Sequence, residues 1–538
     1  MGRHNLGALL VVFLWTLATS ISYGKVTETN FLAQKLGLSS SELKKQSRSL
    51  ALFVLSSRSP KSSICHQKKS ANRKVCQLIP HLYKEKSASR SKGFKRAKIS
   101  FNRRKLPALQ RHGYRGLLNS LKGLSTHRVL KYVDRITSVK GCPRNFSAAL
   151  IRKLEEALPD SKYRNAIHKL YHHSRSCLKP EDKAFSDVHS RMALLYYLWG
   201  QKDQAKTAIT SAYQAETDHD RDKILYWAGK LDRQNREVYW RELGSQYPLS
   251  WHTILAWRTQ RTDPFSFFSS RPLLKASDIV LGDHKTQLRA QEALYWLSAL
   301  FQFNFSQAAE RFAFVVSEKF APFYSTRNFI HIAKKIQTHR PYSSIFRYIY
   351  KKSKSKPYLL NSDTLRWLFP KPYEKDFSHA SNRADKFLMM GIARQESSFN
   401  PKAKSPANAR GLMQILPSTA QQYYKKKRPN LYNPQTNIYL GSRYIEYLVK
   451  RFGSPEEAIM AYNAGPSRIK PWKRRYPTKS YILMIDLLPF KETRDYTALV
   501  LRNNYWYERI EKVENQKRSL AGDKNSKSKL VQLLMNDA

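Results

Sequence analysis

The chain has 538 residues, with 96 Lys and Arg against 40 Asp and Glu, a formal net charge of +56. That length allows several domains and a large buried core, on an ordinary scale of about 150 residues per domain. So strong a positive field attracts polyanions of any kind, nucleic acid included, but the basic residues are scattered along helices and linkers rather than gathered in one nucleic-acid motif, which excludes a dedicated nucleic-acid module.

In chain order, Arg3 and His4 precede a nearly unbroken apolar run from Leu6 to Ala18, followed by small and polar residues up to Gly24. This is the pattern of a signal peptide over residues 1–24, and the run is short of the about 20 apolar residues that a membrane span needs. The mature chain is therefore expected outside the inner membrane, in the periplasm. There it would be away from nucleic acid and would meet anionic wall polymers and the anionic membrane surface.

Residues 25–139 are rich in Lys, Arg and Ser, with SSRSPKSS and SASRSKGFKRAK as low-complexity patches between short apolar segments such as Leu50–Leu55. Four cysteines, Cys65, Cys76, Cys142 and Cys177, precede the C-terminal third. An even count in an exported chain suggests disulfides, and sequence proximity favours Cys65 with Cys76 and Cys142 with Cys177, although four cysteines allow three connectivities. No His or carboxylate cluster accompanies them, so neither a metal nor any other cofactor is expected.

From 140 to 270 helical patterns dominate. Ser190–Tyr213 and Arg221–Trp257 each hold an aromatic-rich helix, a polar turn and a second helix, which reads as helix-hairpin repeats that bury their faces only by stacking. The aromatics Tyr196, Tyr197, Tyr226, Trp227, Tyr239 and Trp240 are then inter-helix core. A further helical region, clearest at Lys285–Phe320, fills residues 271–368.

The stretch around which the rest is organised is ADKFLMMGIARQESSFNPKAKSPANARGLMQIL, Ala384–Leu416. Phe387, Leu388, Ile392 and Ala393 recur at the spacing of an apolar helix face, and Asn400-Pro401 marks where that helix has stopped. Glu396 falls in the last turn, where apolar walls and the negative end of the helix dipole both favour the protonated acid that general-acid chemistry requires. Further on, Ser454-Pro455-Glu456-Glu457 reads as a capped helix start and Ala464-Gly465-Pro466 as its stop, which places Tyr462 and Asn463 in the last turn. A helix from about Thr436 to Lys450 presents Ile438, Leu440, Tyr444, Tyr447 and Leu448 as a core stripe. A final helix is expected after Pro489, with Glu492 near its start. Lys425–Arg428 form a charged loop, and residues 514–538 a basic tail.

Four segments in one order, ARQESSFNPKAKSP (393–406), GLMQILPSTA (411–420), AYNAGPSRI (461–469) and LPFKETRDY (488–496), resemble the catalytic domain of the large soluble lytic transglycosylases. YWAGK and YPLSW at 226–230 and 247–251 resemble the closing repeats of the helical superhelix that precedes it. The resemblance implies an all-α protein: superhelix over 140–270, helical linker over 271–368 and lysozyme-like catalytic domain over 369–513, with a short β-hairpin around 411–416. It implies non-hydrolytic cleavage of the MurNAc-GlcNAc bond of peptidoglycan, giving 1,6-anhydroMurNAc ends, with other cell-wall enzymes as companions. Glu396 would be both acid and base. Ser405 and Gln414 would be polar contacts and Met413 an apolar wall, while Tyr462 and Asn463 hold the sugar. Glu492 would touch substrate or pair with Arg494. Where the family has Gly-Ala-x-Gly, this chain has Asn408-Ala409-Arg410-Gly411, and Asn tolerates the left-handed backbone that such a loop needs. Two rivals stand beside this reading: a lysozyme-type hydrolase, and a non-catalytic wall- or polyanion-binding protein.

Overall fold

A computed structural model describes residues 25–55, 125–137, 146–176, 178–215, 220–263, 268, 284–320, 360, 365–366, 368–424 and 429–522. The expected export signal, all four cysteines, the Ser- and Lys-rich patches before residue 125, the 425–428 loop and the end of the chain after Gly522 lie outside them. The described regular structure is all-α, interrupted only by isolated β-bridges. Among the described residues no helix is long and apolar enough to cross a membrane.

Two compact units divide the chain, one of residues 1–92 with 268–372, the other of 93–267 with 373–537. In the first, helices Lys25–Leu36 and Ser40–Leu55 pack on His284–Gln302 and Ser306–Phe320. Leu32, Leu43, Leu50, Trp296, Leu300 and Phe312 are fully buried there. The N-terminal segment thus gains its core from residues more than two hundred positions away, which local sequence pattern does not reveal.

In the second unit, helices Lys183–Leu198, Lys202–Tyr213, Arg221–Leu231, Arg236–Gln246 and Trp251–Gln260 follow one another, each packed on its neighbour in sequence. The aromatic stripe is their glue. Tyr226 stacks on Trp240, Tyr197 meets Trp227 edge-on, and Tyr196, Tyr226, Trp227, Tyr239 and Trp240 are all buried. Only Tyr197 remains half-exposed.

These helices hold the C-terminal part through two buried polar clusters. Arg191 forms an ion pair with Glu155, and its guanidinium also donates to the carbonyls of Leu487 (2.7 Å) and Asp486 (3.3 Å) and to the Tyr476 hydroxyl (3.0 Å). Tyr476 in turn donates to Glu155 at 2.7 Å. Burial opposes both charges, but their pairing outweighs it and holds Glu155 below and Arg191 above the ordinary range. In the second cluster the Asp486 carboxylate accepts from Trp227 Nε1 at 2.7 Å and meets His252 Nε2 at 3.2 Å, while His252 Nδ1 lies 3.0 Å from Asp222. Burial alone would lower His252, yet Asp486 and Asp222 outweigh it and hold the imidazolium up to about 10. Both clusters converge on helix Tyr481–Leu487.

Candidate active site

Helix Lys386–Ser397 begins at Asp385, whose carboxylate accepts from Leu388 N at 2.7 Å. Three turns away from the site, Asp385 is thus a cap and not a second catalytic acid. The helix lies along Lys491–Gly522 so closely that a Cβ on Gly391 would come within 3.1 Å of the Val500 carbonyl and 3.3 Å of Asn504 N. Gly391 therefore sets how near the two helices approach. The turn that ends the first of them is left-handed at Ser398 (φ 52°) and again at Phe399 (φ 62°), two non-glycine residues in succession. Phe399 is buried and packs edge-on against Phe377, which holds that conformation in place. The helix stops here, ahead of Asn400-Pro401, and Glu396 lies in its last turn as the sequence pattern predicts.

The Glu396 carboxylate accepts a hydrogen bond from the Tyr496 hydroxyl at 2.7 Å. Burial pushes its pKa up, the Tyr496 bond pulls it partly back and the nearby Glu492 charge adds to the rise, so that it reaches about 7. Burial is the dominant cause. Tyr496 comes from helix Lys491–Gly522, where it sits one turn after Glu492 on the same face. That i, i+4 spacing is the sequence signal for Tyr496, the last residue of the LPFKETRDY segment. Because Tyr496 stabilises the ionised form, Tyr496→Phe is expected to move the alkaline limb of the pH profile above about 7. A kcat/KM profile from pH 5 to 9 whose limb stays in place contradicts this.

Facing Glu396 is a compact turn. Arg410 and Ile415 exchange both backbone hydrogen bonds at 3.0 Å, and Arg410 also bridges to Lys404, so the predicted hairpin exists as single bridges and not as strands. Gly411 has φ 77°, and a Cβ there would lie 2.1 Å from the Leu431 carbonyl, which only glycine avoids. Asn408 adopts φ 66°, the left-handed role expected of it. The Arg410 guanidinium bonds back to Asn408 Oδ1 at 3.0 Å. Asn437 pins the turn from beneath: fully buried, it donates to the carbonyls of Arg410 and Leu431 and accepts from Met413 N at 2.8 Å. A single Asn beside the apolar stripe of helix Pro434–Phe452 is the sequence signal for it.

The remaining candidates are placed as follows. Ser405 Oγ accepts from Ala409 N at 3.1 Å within the loop. Gln414, left-handed at φ 49°, donates through Nε2 to the Gly411 and Ala403 carbonyls, which leaves its Oε1 as an acceptor. Met413 is completely buried, so its side chain is core beneath the turn, and its carbonyl is held by the Tyr462 hydroxyl at 2.7 Å. Tyr462 and Asn463 occupy the last turn of helix Pro455–Ala464, and Asn463 Oδ1 accepts from Thr493 at 2.8 Å, leaving its amide N–H groups available. Glu492 is exposed. Its expected pairing with Arg494 is not formed, because Arg494 turns inward and donates to the Leu488 carbonyl at 2.7 Å.

This gives one acid with a pKa near neutrality, a tyrosine donor upon it, and amide and hydroxyl groups around it, an arrangement suited to general acid–base proton transfer. Among the described residues no three His, Cys, Asp or Glu come together to hold a metal ion. Residues 377–485 match the family described as the transglycosylase SLT domain, a span containing Glu396, the Gly411–Gln414 turn and the Tyr462–Asn463 pair. The chain carries an SLT domain.

The chain is 36% identical over 172 residues to the soluble lytic murein transglycosylase of Salmonella typhimurium, covering 30% of this chain and 26% of that protein. It is 46% identical over 89 residues to the membrane-bound lytic murein transglycosylase E of Buchnera aphidicola, covering 15% of this chain and 40% of the relative. The match thus spans about a quarter of the length of the Salmonella protein. Among solved structures, the 70-kDa soluble lytic transglycosylase in complex with bulgecin A overlays on 93% of this chain and 91% of its own, at 17% identity and a TM-score of 0.47.

Proposed function

We propose that this protein is a peptidoglycan lytic transglycosylase, acting in the periplasm after export by residues 1–24. The observation that carries this reading is Glu396, a single acid poised near pH 7 at the end of a buried helix inside the SLT domain. In the protonated form it delivers a proton to the oxygen linking MurNAc to GlcNAc as the C1–O bond breaks. The resulting carboxylate takes the proton of the 6-hydroxyl of the same MurNAc, whose oxygen closes on C1. No water is consumed, Glu396 ends as it began, and one residue serves both half-steps because its pKa lies between the two demands.

Around it, the Gln414 Oε1 and the Tyr462 hydroxyl oxygen accept from the sugar and the Asn463 amide donates to it, and Ser405 stands in the loop beside them. They would steady an oxocarbenium-like or N-acetyl-assisted intermediate. The positive charge of the chain fits it to anionic wall material.

The hydrolytic rival needs a second carboxylate to activate water. Glu492, close enough to raise the pKa of Glu396, is the group that would have to serve. In the transglycosylase reading it only touches substrate. Glu492→Gln is then expected to lose less than about tenfold in kcat on peptidoglycan, whereas a water-activating base contributes about a hundredfold or more. A loss as large as that of Glu396→Gln would favour hydrolysis.

A further inference from the structure

The helix expected from about Thr436 to Lys450, with Ile438, Leu440, Tyr444, Tyr447 and Leu448 as one core stripe, spans Pro434–Phe452, and the structure divides that stripe. Ile438, Leu440 and Leu448 are buried, but Tyr447 is 40% exposed and Tyr444 is half-exposed. Tyr444 packs at 5.3 Å between ring centres on Tyr462, the residue that holds the Met413 carbonyl at the site. Tyr447 lies parallel to Tyr444 at 6.4 Å and 17°. Tyr423 stands with them: burial raises its hydroxyl, and the neighbouring Tyr447 adds to the rise. A run of aromatic rings thus leads from the active site onto the surface.

Two guanidinium groups flank that run. Arg443 lies over the Tyr423 ring at 6.0 Å, and Arg451 lies over the Tyr447 ring at 5.7 Å and bonds its hydroxyl. A guanidinium held against a ring keeps its N–H edge free for a planar carboxylate and is fixed before the ligand arrives. Glu446 on the same helix is bound by Lys450 at 2.7 Å, and Arg443 lies near enough to help hold its carboxyl below the ordinary range.

Resting on the reading of the protein as a glycan-cleaving enzyme, we propose that Tyr423, Tyr444 and Tyr447 with Arg443 and Arg451 form an extended subsite for a glycan strand bearing acidic peptide arms. A sugar ring would lie on the tyrosine faces, and the carboxylates of the peptide arms would pair with the two arginines. The rings are continuous with Tyr462, and the charge is complementary to those arms.

The test compares purified wild type, R443Q/R451Q, Tyr447→Ala and Tyr447→Phe on soluble peptide-bearing glycan, with its peptide carboxylates either free or amidated. R443Q/R451Q is expected to raise KM about fivefold on the free-acid glycan, as two partly exposed charge pairs would, and to leave the amidated glycan unchanged. Tyr447→Ala should raise KM about fivefold on both forms, Tyr447→Phe should restore it, and kcat should hold throughout. Unchanged KM values in a chain that cleaves glycan overturn the subsite alone, as does an equal rise for R443Q/R451Q on both substrates. Wild type that cleaves neither glycan overturns the subsite together with the functional reading beneath it.

Discussion

Glu396→Gln is expected to lower glycan cleavage by at least about a hundredfold, the lower end of what a general acid contributes, because the amide keeps the shape and has no proton to give. Its effect on stability runs the other way. The folded carboxyl titrates near 7 against an ordinary value of 4.5. Such a raised group contributes its full share to stability below about 4.5 and loses it as pH rises through about 7, where a poorly solvated charge must be held. The amide has no such cost, so the variant should match the wild type at pH 4 and melt higher at pH 8. Turnover above about a hundredth of wild type, or a melting difference that does not grow with pH, would count against Glu396 as the half-buried acid.

Arg191→Met is expected to lose about 3–5 kcal/mol in chemical denaturation, because it strands the Glu155 carboxylate in the interior without its partner. The loss should spread beyond the helical repeats, since the same guanidinium caps the carbonyls of Asp486 and Leu487 at the end of helix Tyr481–Leu487. Adding Glu155→Gln removes the stranded charge and should recover a large part of the stability. A change of less than about 1 kcal/mol for the single variant would mean that water reaches the pair and screens it.

Features of the site that depend on neighbours in sequence were legible. The Glu396 helix, the Ser454 cap with Pro455 behind it and the stop at Gly465 follow from spacing and turn chemistry, and the structure places each of them as expected. The left-handed Asn408 was legible for the same reason. Periodicity also gave the repeats and their aromatic core. It could not distinguish Tyr447 from Leu448, because adjacent positions on a helix differ by about 100° and the facing elements decide which is covered. Nor could it pair Arg191 with Tyr476, or His252 with Asp486, because contacts over more than two hundred residues leave no local pattern. Asn437 and Tyr496 are intermediate cases. Each carried a signal, a polar residue beside an apolar stripe or a tyrosine one turn after a glutamate, but its partner lay on another segment.

The most direct measurement is mass spectrometry of the fragments that the purified protein releases from peptidoglycan in water enriched in heavy oxygen. Intramolecular closure by the 6-hydroxyl predicts MurNAc ends lighter by one water than a reducing sugar and free of solvent label. Reducing ends carrying the heavy oxygen would show that water attacks C1, and would contradict the single-acid mechanism assigned to Glu396.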